Sequence, residues 1–551
     1  MGTAAGRAWT SEREHPLSES EREREAGFRL EDERLGREVA ARFGQPPRPR
    51  PRFRVVTIAR AIRHRAVVSV LGVFVRKALR RVRREVIRRE HQVARLLVRT
   101  VTSSRGLFEV VPEPRDAVEA NALVARVKAP YLVFLRTGGL LTTSGARAID
   151  EFIMGGSDSA DVIYGDSRSA TGLRFGAPAF SPFRLRSEDY LGPVVAVSVE
   201  AVRARGGFAP AADGALLLDF VLRTHPERIV RLREVLGWGP AIDTRDGEPA
   251  ERAVATVRRF LEERGILAEV RATRFGRREV VYHASGDANV SVIIPTRGGG
   301  GTIAGAERSF VVEAVRGLLE RGTTTDLEII VVADDATPQP VIDELERIAG
   351  DRLVLVRWSE SFDFSAKMNR GAAVATGDHL LLLNDDVDLV EPASIERMLS
   401  IVNQPGVGLV GALLYFEDGS IQHLGHLYQG GGAGHVGFGV TPGALSPLES
   451  LTPTREVSGV TAACALISSR LFREVGGFST RFPGNYNDVD LSLKVRHSGA
   501  TILCTGQASF YHFESKTRDA RVLLSEIEQL QVRWGALVQR DEYSREQESA
   551  A

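Results

Sequence analysis

Cysteine, methionine and tryptophan are scarce here, at two, four and four in 551 residues. The two cysteines, Cys464 and Cys504, lie far apart in apolar runs, which excludes a disulfide framework or a cysteine-based zinc site and fits a reducing compartment. No apolar stretch reaches the roughly 18–20 residues that span a bilayer, and the polar first residues lack the basic and apolar regions of a signal peptide. The expected setting is therefore cytoplasmic, at most at the inner face of the cell membrane. An excess of charge is missing too: 72 basic against 71 acidic side chains leave +1, so no nucleic-acid partner is expected. What the chain does have is 43% hydrophobic residues and a length that, at roughly 150 residues per domain, allows more than one core.

Composition divides the chain. From Ser11 to about Arg48 Glu and Arg alternate, and the run passes into PPRPRPR, so residues 1–50 read as a charged, disordered tail and a stiff linker, with Glu/Arg pairs able at most to support a solvated helix. Residues 51–96 hold an apolar patch, Ala66 to Val75, followed by RKALRRVRREVIRR. Within 60–89 this reads either as a basic amphipathic segment lying on an anionic membrane or as a surface helix paired with the acidic tail. Residues 97–245 alternate short apolar runs with helix-like stretches, 246–287 form a connector with an amphipathic helix from Glu251 to Glu263, and 288–518 repeat the α/β pattern more clearly. Residues 519–551 supply a terminal helix and tail.

In the second unit, NVSVIIPTR, LEIIVVADD, RLVLVRW and HLLLLNDDVD are apolar runs without polar alternation, as in strands covered on both faces. Alternation with helices implies a largely parallel sheet, whose ligands bind beyond the carboxyl ends of the strands. Those ends carry Pro295-Thr296-Arg297, Asp334-Asp335 and Asn384-Asp385-Asp386-Val387-Asp388. Unpaired carboxylates cannot be buried cheaply, so they line a crevice, where hard oxygen ligands suit Mg²⁺ or Mn²⁺ carrying a diphosphate. The alternative, that these residues cap helices or make turns, stays open from pattern alone. Gly298 to Gly301 lack the Gly-Lys-Ser/Thr of a phosphate loop and read as a flexible turn.

VSVIIPTR, EIIVVADDAT, SAKMNRGAAVATGDHLLLLNDDVD, GALLYFEDGSIQHLG, VTAACALISSRLFREVGGF, NDVDLSLKVRHSG and YHFES, in that order from Val290 to Ser515, resemble the family 2 glycosyltransferases of the GT-A fold, especially bacterial polysaccharide, O-antigen and rhamnan-type enzymes. The resemblance implies that Pro295, Thr296 and Asp334 hold the base and ribose of a nucleotide sugar, with Arg297 on the same rim. It places Asn369 near the nucleotide, with Lys367 substituting for a basic residue that is Met368 here. Asn384 and Asp385 would lie near ribose and diphosphate, and Asp386 and His512 would bind the cation. Asp488 stands at the position of the catalytic base; Asp490 would support it or face the acceptor, and His423 and His435 belong to an acceptor-side loop in which Gly430 to Gly439 form a lid or a plain surface loop.

The first unit parallels the second: APYLVFLRTGGLLT with GDHLLLLNDDVDLV, YLGPVVAVSVEAVRARGGF with VTAACALISSRLFREVGGF, and DGALLLDFVLR with NDVDLSLKVRH. Arg136-Thr137-Gly138-Gly139 replaces the acidic rim, and Asp213 is followed two residues on by Ala215. The expected fold is thus two tandem GT-A, Rossmann-like domains with mainly parallel mixed sheets, the first degenerate, Arg136 being its one group able to replace a metal's charge. The expected function is metal-dependent, inverting transfer from a UDP-, dTDP- or GDP-sugar to a glycan or lipid-linked acceptor of a bacterial surface polysaccharide. A sugar-phosphate nucleotidyltransferase and a non-catalytic glycan-binding scaffold are the alternatives.

Overall fold

The computed structural model describes residues 15–43, 103, 105–136, 138–156, 160–169, 172–210, 215–239, 248–273, 276–283, 289–303, 305–324, 326–441, 452–513, 522 and 524–544. The basic segment 60–89, Asp213 and Thr137 lie outside them. No helix among the described residues is long and apolar enough to cross a membrane.

Strands β1 (Phe108–Pro112), β2 (Tyr131–Leu135), β3 (Leu140–Leu141), β4 (Val162–Arg168), β5 (Arg174–Phe175), β6 (Val194–Ser198) and β7 (Ile229–Trp238) form a first sheet in the order β1-β2-β6-β4-β7-β3, with β5 beside β4. The helix Glu248–Glu262 and a hairpin of β8 (Ala268–Ala272) and β9 (Arg278–Tyr282) lead to the second unit.

There, β10 (Val290–Thr296) is followed by a hairpin of β11 (Gly300–Ile303) and β12 (Ala306–Ser309), so RGGGGT is the start of an ordered hairpin rather than a flexible turn. Next come β13 (Leu327–Asp334), β14 (Leu353–Trp358), β15 (His379–Leu383), β16 (Val387–Leu389), β17 (Val407–Tyr415) and β18 (Ile421–His423). A separate hairpin of β19 (His426–Gln429) and β20 (Gly432–His435) precedes β21 (Arg455–Glu456), β22 (Cys464–Ser468) and β23 (Thr501–His512). The second sheet runs β14-β13-β10-β15-β22-β17-β23-β16, with β18 on β17 and β21 on β23.

The two sheets share a pattern. From β1 to β3 the neighbours pair parallel, antiparallel, antiparallel, parallel and antiparallel. From β10 through β15, β22, β17 and β23 to β16 the same succession recurs. Irregular register falls in the same place, between β4 and β7 and between β17 and β23. Among the described residues the first sheet has no strands in the place of β13 and β14.

Both faces of the second sheet are covered, which is why its central strands are continuously apolar. Val292, Ile294, Leu381 and Leu383 join one core, and Ile293, Leu380 and Leu382 the other. The first of these cores continues through Tyr282, Phe260 and Phe183 into the first unit. Across the same boundary the buried Glu456 carboxylate accepts the Phe183 and Arg184 amides at 2.8 and 3.1 Å.

The expected tail is corrected over much of its length, since Glu19–Phe43 is a helix docked on the second unit. Phe28, Asp32, Leu35 and Val39 recur at helical spacing and are all buried. Phe28 meets Phe472 edge-on at 5.4 Å, and Leu35 and Val39 join Phe482, Val489, Leu493 and Trp534. Asp32 takes Lys494 at 3.0 Å and Arg533 at 2.6 Å and accepts from Ser479 at 2.8 Å. The charge count hid this helix because its buried stripe is narrow and includes a carboxylate that finds partners only in the fold.

Candidate functional site

Parallel register brings the carboxyl ends of β10, β13 and β15 to one rim, opposite which the helix Asn487–His497 begins. Between them lies a cleft of about 590 Å³. Pro295, Thr296, Arg297, Asn384, Asp385, Asp386, His423, Asp488 and His512 all line it.

On the rim, Thr296 Oγ1 donates to Asp385 Oδ2 at 2.7 Å and accepts from the Gly298 amide at 2.9 Å, fixing the carboxylate across the β10–β15 seam. Burial, with the Asp386 charge beside it, pushes the Asp385 carboxyl up to about 7. Pairing of β16 with β23 sets His512 opposite Val387, and His512 Nε2 comes to 3.1 Å from Asp386 Oδ1. His512 Nδ1 is 2.6 Å from Gln422 Oε1, which assigns the proton to Nδ1 and leaves Nε2 as an acceptor, 3.2 Å from the Asn384 amide nitrogen. Two acceptors, imidazole nitrogen and carboxylate oxygen, thus sit side by side as neighbouring ligands of a divalent cation do, and the buried Asn384 Oδ1 beside them has no hydrogen-bond partner. This donor set fits Mn²⁺ or Mg²⁺.

Opposite the rim, Asp488 stands in the first turn of its helix, where the macrodipole favours a carboxylate. Its Oδ1 accepts the Val489 amide at 2.8 Å, and Oδ2 lies 3.6 Å from His426 Nε2. Burial would raise this carboxyl, but His426 outweighs it and holds Asp488 at about 2. The turn before the helix is strained: Tyr486, whose side chain also lines the cleft, has φ 60°, and it is the one non-glycine residue with positive φ among those described.

Three expected residues, Lys367, Asn369 and Asp490, sit elsewhere. Lys367 is fully buried beneath the rim, donating to the Thr296 carbonyl at 2.7 Å and to Asp334 at 2.6 Å, so it holds Asp334 rather than reaching into the cleft. Asp334 stays on the rim, with Arg297 at 3.7 Å. Asn369 lies outside the cleft, its amide tying the Phe478 backbone at 2.8 and 2.9 Å. Asp490 faces away into the core, accepting from Trp534 Nε1 at 2.7 Å with Arg533 at 3.0 Å and Lys494 at 3.7 Å, and does not face an acceptor. Helical periodicity explains this last case, since residues two apart point to opposite sides.

Nor are Gly430 to Gly439 a loose lid. Gly430 and Gly431, both with positive φ, make the tight turn of the β19–β20 hairpin, and their amides donate to Gln539 and Val538 carbonyls of the C-terminal segment. This hairpin sets His426 opposite His435. His426, Gln422 and Phe362 are cleft residues that the reading of the sequence passed over. The His423-x-x-His426 spacing signals the first, but nothing local marks Phe362, which is 39% exposed and carries the Arg297 guanidinium over its ring at 4.0 Å.

In the first unit, Arg136 is buried and bidentate to Asp189 at 2.9 and 2.7 Å, with Glu113 at 3.7 Å. Its charge is compensated internally, which corrects the expectation that it stands in for a cation.

An α/β mixed sheet with carboxylates at its strand ends is the architecture of a GT-A glycosyltransferase, and residues 291–476 match the family model described as glycosyl transferase family 2. The chain carries a family 2 glycosyltransferase domain. It is 29% identical over 371 residues to the O-antigen biosynthesis protein RfbC of Myxococcus xanthus, covering 64% of this chain and 28% of that protein. It is 30% identical over 426 residues to the uncharacterized protein y4gI of Sinorhizobium fredii (strain NBRC 101917 / NGR234), covering 72% and 45%. The chain thus spans less than half the length of either relative. A crystal structure of GalNAc-T7 with UDP, GalNAc and Mn²⁺ overlaps 42% of this chain and 45% of that one at 13% identity and a TM-score of 0.35, too slight a likeness to assign a ligand.

Proposed function

We propose that the chain transfers a sugar, with inversion, from a nucleotide-sugar donor to a glycan or lipid-linked acceptor in the synthesis of a bacterial surface polysaccharide. One observation carries the reading: Asp385, Asp386 and His512 face Asp488 across a single cleft, so that a diphosphate site and a base site share one space. Thr296, Arg297 and the Asp385 carboxylate orient the nucleotide end of the donor. Asp488, held by the Val489 amide, takes the proton of the acceptor hydroxyl. The acceptor oxygen then attacks the anomeric carbon from the face opposite the diphosphate, and the sugar–diphosphate bond breaks. A divalent cation, when bound, is held by Asp386 and His512 and offsets the charge gathering on the departing diphosphate. The first unit, its rim closed by the Arg136–Asp189 pair, serves as platform or acceptor surface rather than as a second transferase.

The test is a panel of UDP-, dTDP- and GDP-sugars with Mn²⁺ and a range of saccharide acceptors. Acceptor-dependent release of a nucleoside diphosphate, abolished in Asp386→Ala, is expected. Release of pyrophosphate would instead establish a nucleotidyltransferase, and silence with every donor would refute the assignment.

A further inference from the structure

Among the described residues every positive φ but one belongs to a glycine, and the exception is Tyr486. Nothing in the local structure asks for tyrosine there. A bulky side chain at φ 60° crowds its own backbone, a region that only glycine, asparagine and aspartate visit at little cost. Tyr486 is also the N-cap of the helix Asn487–His497, where a short polar side chain would serve, and it makes no capping bond. Asparagine would meet both demands, whereas Gly484, two residues earlier, takes no positive φ. The surroundings nevertheless hold the turn in this shape. The buried Glu526 carboxylate accepts the Asn485 backbone amide at 3.2 Å and its side-chain amide at 2.9 Å. Asn487 Nδ2 donates to the Gly484 carbonyl at 2.8 Å, and the Pro483 carbonyl accepts the Phe364 amide at 2.9 Å. Strain that is fastened from several sides in this way, against local preference, marks a functional position.

What the fastened turn delivers is an aromatic ring. Half-buried, Tyr486 packs against the cluster of Phe482, Val489, Leu493 and Trp534, as Ala433 of the β19–β20 hairpin does, and both line the cleft. Of the other phenyl rings on the cleft, Phe362 carries the Arg297 guanidinium over its face at 4.0 Å and Phe364 meets Phe478 edge-on at 5.7 Å. Tyr486 alone among them has no ring or cation against it among the described residues, and its hydroxyl makes no hydrogen bond there. Burial, with the Glu526 and Asp488 charges nearby, pushes its phenol up, so the hydroxyl remains a donor at neutral pH. We propose that Tyr486 is the acceptor platform of the cleft, its ring taking the C–H-lined face of an acceptor pyranose two residues before Asp488, an inference that rests on the glycosyl-transfer reading. The negative face of an aromatic ring suits the weakly positive C–H groups of a sugar, and a ring held rigidly by its own turn loses little freedom when the sugar arrives. The nucleotide end of the donor lies at the opposite rim, with Thr296, Arg297 and Asp385.

The full chain carrying Tyr486→Gly, Tyr486→Ala or Tyr486→Phe tests this, with the saccharide acceptor that the donor and acceptor panel selects. Glycine relieves the strain and alanine does not, so amide exchange over residues 484–490 should be at least about threefold slower in Tyr486→Gly than in Tyr486→Ala. In both, the acceptor KM should rise about tenfold or more while the donor KM stays within about twofold, and Tyr486→Phe should bring the acceptor KM back to within about threefold of wild type. Saturation-transfer NMR with methyl glycosides of glucose, galactose, mannose and rhamnose gives a direct readout. Irradiating the aromatic protons of the wild type should reach the C–H protons of at least one glycoside, and the transfer should fall by about half or more in Tyr486→Gly. An unchanged acceptor KM in Tyr486→Gly, or acceptor and donor KM rising together, would overturn the inference and leave the glycosyl-transfer reading intact. So would equal exchange in the glycine and alanine variants, or NMR contact with none of these glycosides. Absence of transfer by the wild-type chain with every nucleotide sugar would remove both readings together.

Discussion

Replacing Asp32 by alanine deprives two buried cations of a shared carboxylate. Burial alone would raise this carboxyl, but the Lys494 and Arg533 charges outweigh it and hold it at about 2, against 3.8 ordinarily. A depression of that size is worth about 2 kcal/mol at neutral pH. Because the folded value lies below the unfolded one, the contribution is complete above about pH 4 and is lost as pH falls toward 2. Deletion costs more than protonation, since Lys494 has a side chain with no exposure and Arg533 only 8%; breaking one side of a buried ion pair costs about 3–5 kcal/mol. Both cations retain Asp490, so the lower end of that range applies. The assay is amide hydrogen exchange over residues 28–39, because a chain with two sheets need not unfold in one step. About 3 kcal/mol lowers protection there roughly a hundredfold at pH 7. In Asp32→Ala the loss of docking expected of the wild type between about pH 4 and 2 should also be absent. Protection within about threefold of wild type would refute the reasoning and return the helix to the status of a solvated tail.

Gln422→Ala removes the group that orients the His512 ring, and Mn²⁺ affinity measured by calorimetry is expected to fall about 10–100-fold, as when other outer-shell partners of ligand histidines are removed. Gly431→Val places a β-branched side chain at φ +88°, where a Cβ would come 2.5 Å from the Gln531 amide nitrogen. Chymotrypsin should cut near the β19–β20 turn, at Tyr428 or Phe438, at concentrations that spare the wild type. Arg136→Ala leaves Asp189 buried without its bidentate partner and should destabilise the first unit by about 3 kcal/mol in denaturant titration, while kcat of the folded enzyme stays unchanged.

Strands β10, β13 and β15 were legible because burial on both faces leaves an unbroken apolar run, and their ends were legible because four polar residues after LLLL have no place in a core. The approach of His512 to Asp386 was not readable from spacing, since it depends on the antiparallel register of β16 and β23. Resemblance supplied that contact as an expectation, and the same resemblance misplaced Asn369 and Lys367, whose hydrogen bonds are satisfied inside the fold. Asp490 failed for a simpler reason: a pair of carboxylates two apart on a helix cannot both face one cleft.

The shared strand order of the two sheets makes their difference informative. β13 carries Asp334 at its end, which Lys367 holds beside Thr296, and β14 lies outside β13. Among the described residues the first sheet has no strand in either place, and so no counterpart of the flank that carries Asp334 in the second unit. At the remaining rim position a guanidinium paired with a carboxylate occupies the ground where the second unit sets Asn384, Asp385 and Asp386. Among the described residues the first unit has neither the flank nor the acidic rim, which is the pattern the proposed platform role expects. What the first unit retains is the half of the sheet equivalent to β22, β17 and β23, with a core continuous with that of the second unit, and this retained half is what a platform requires.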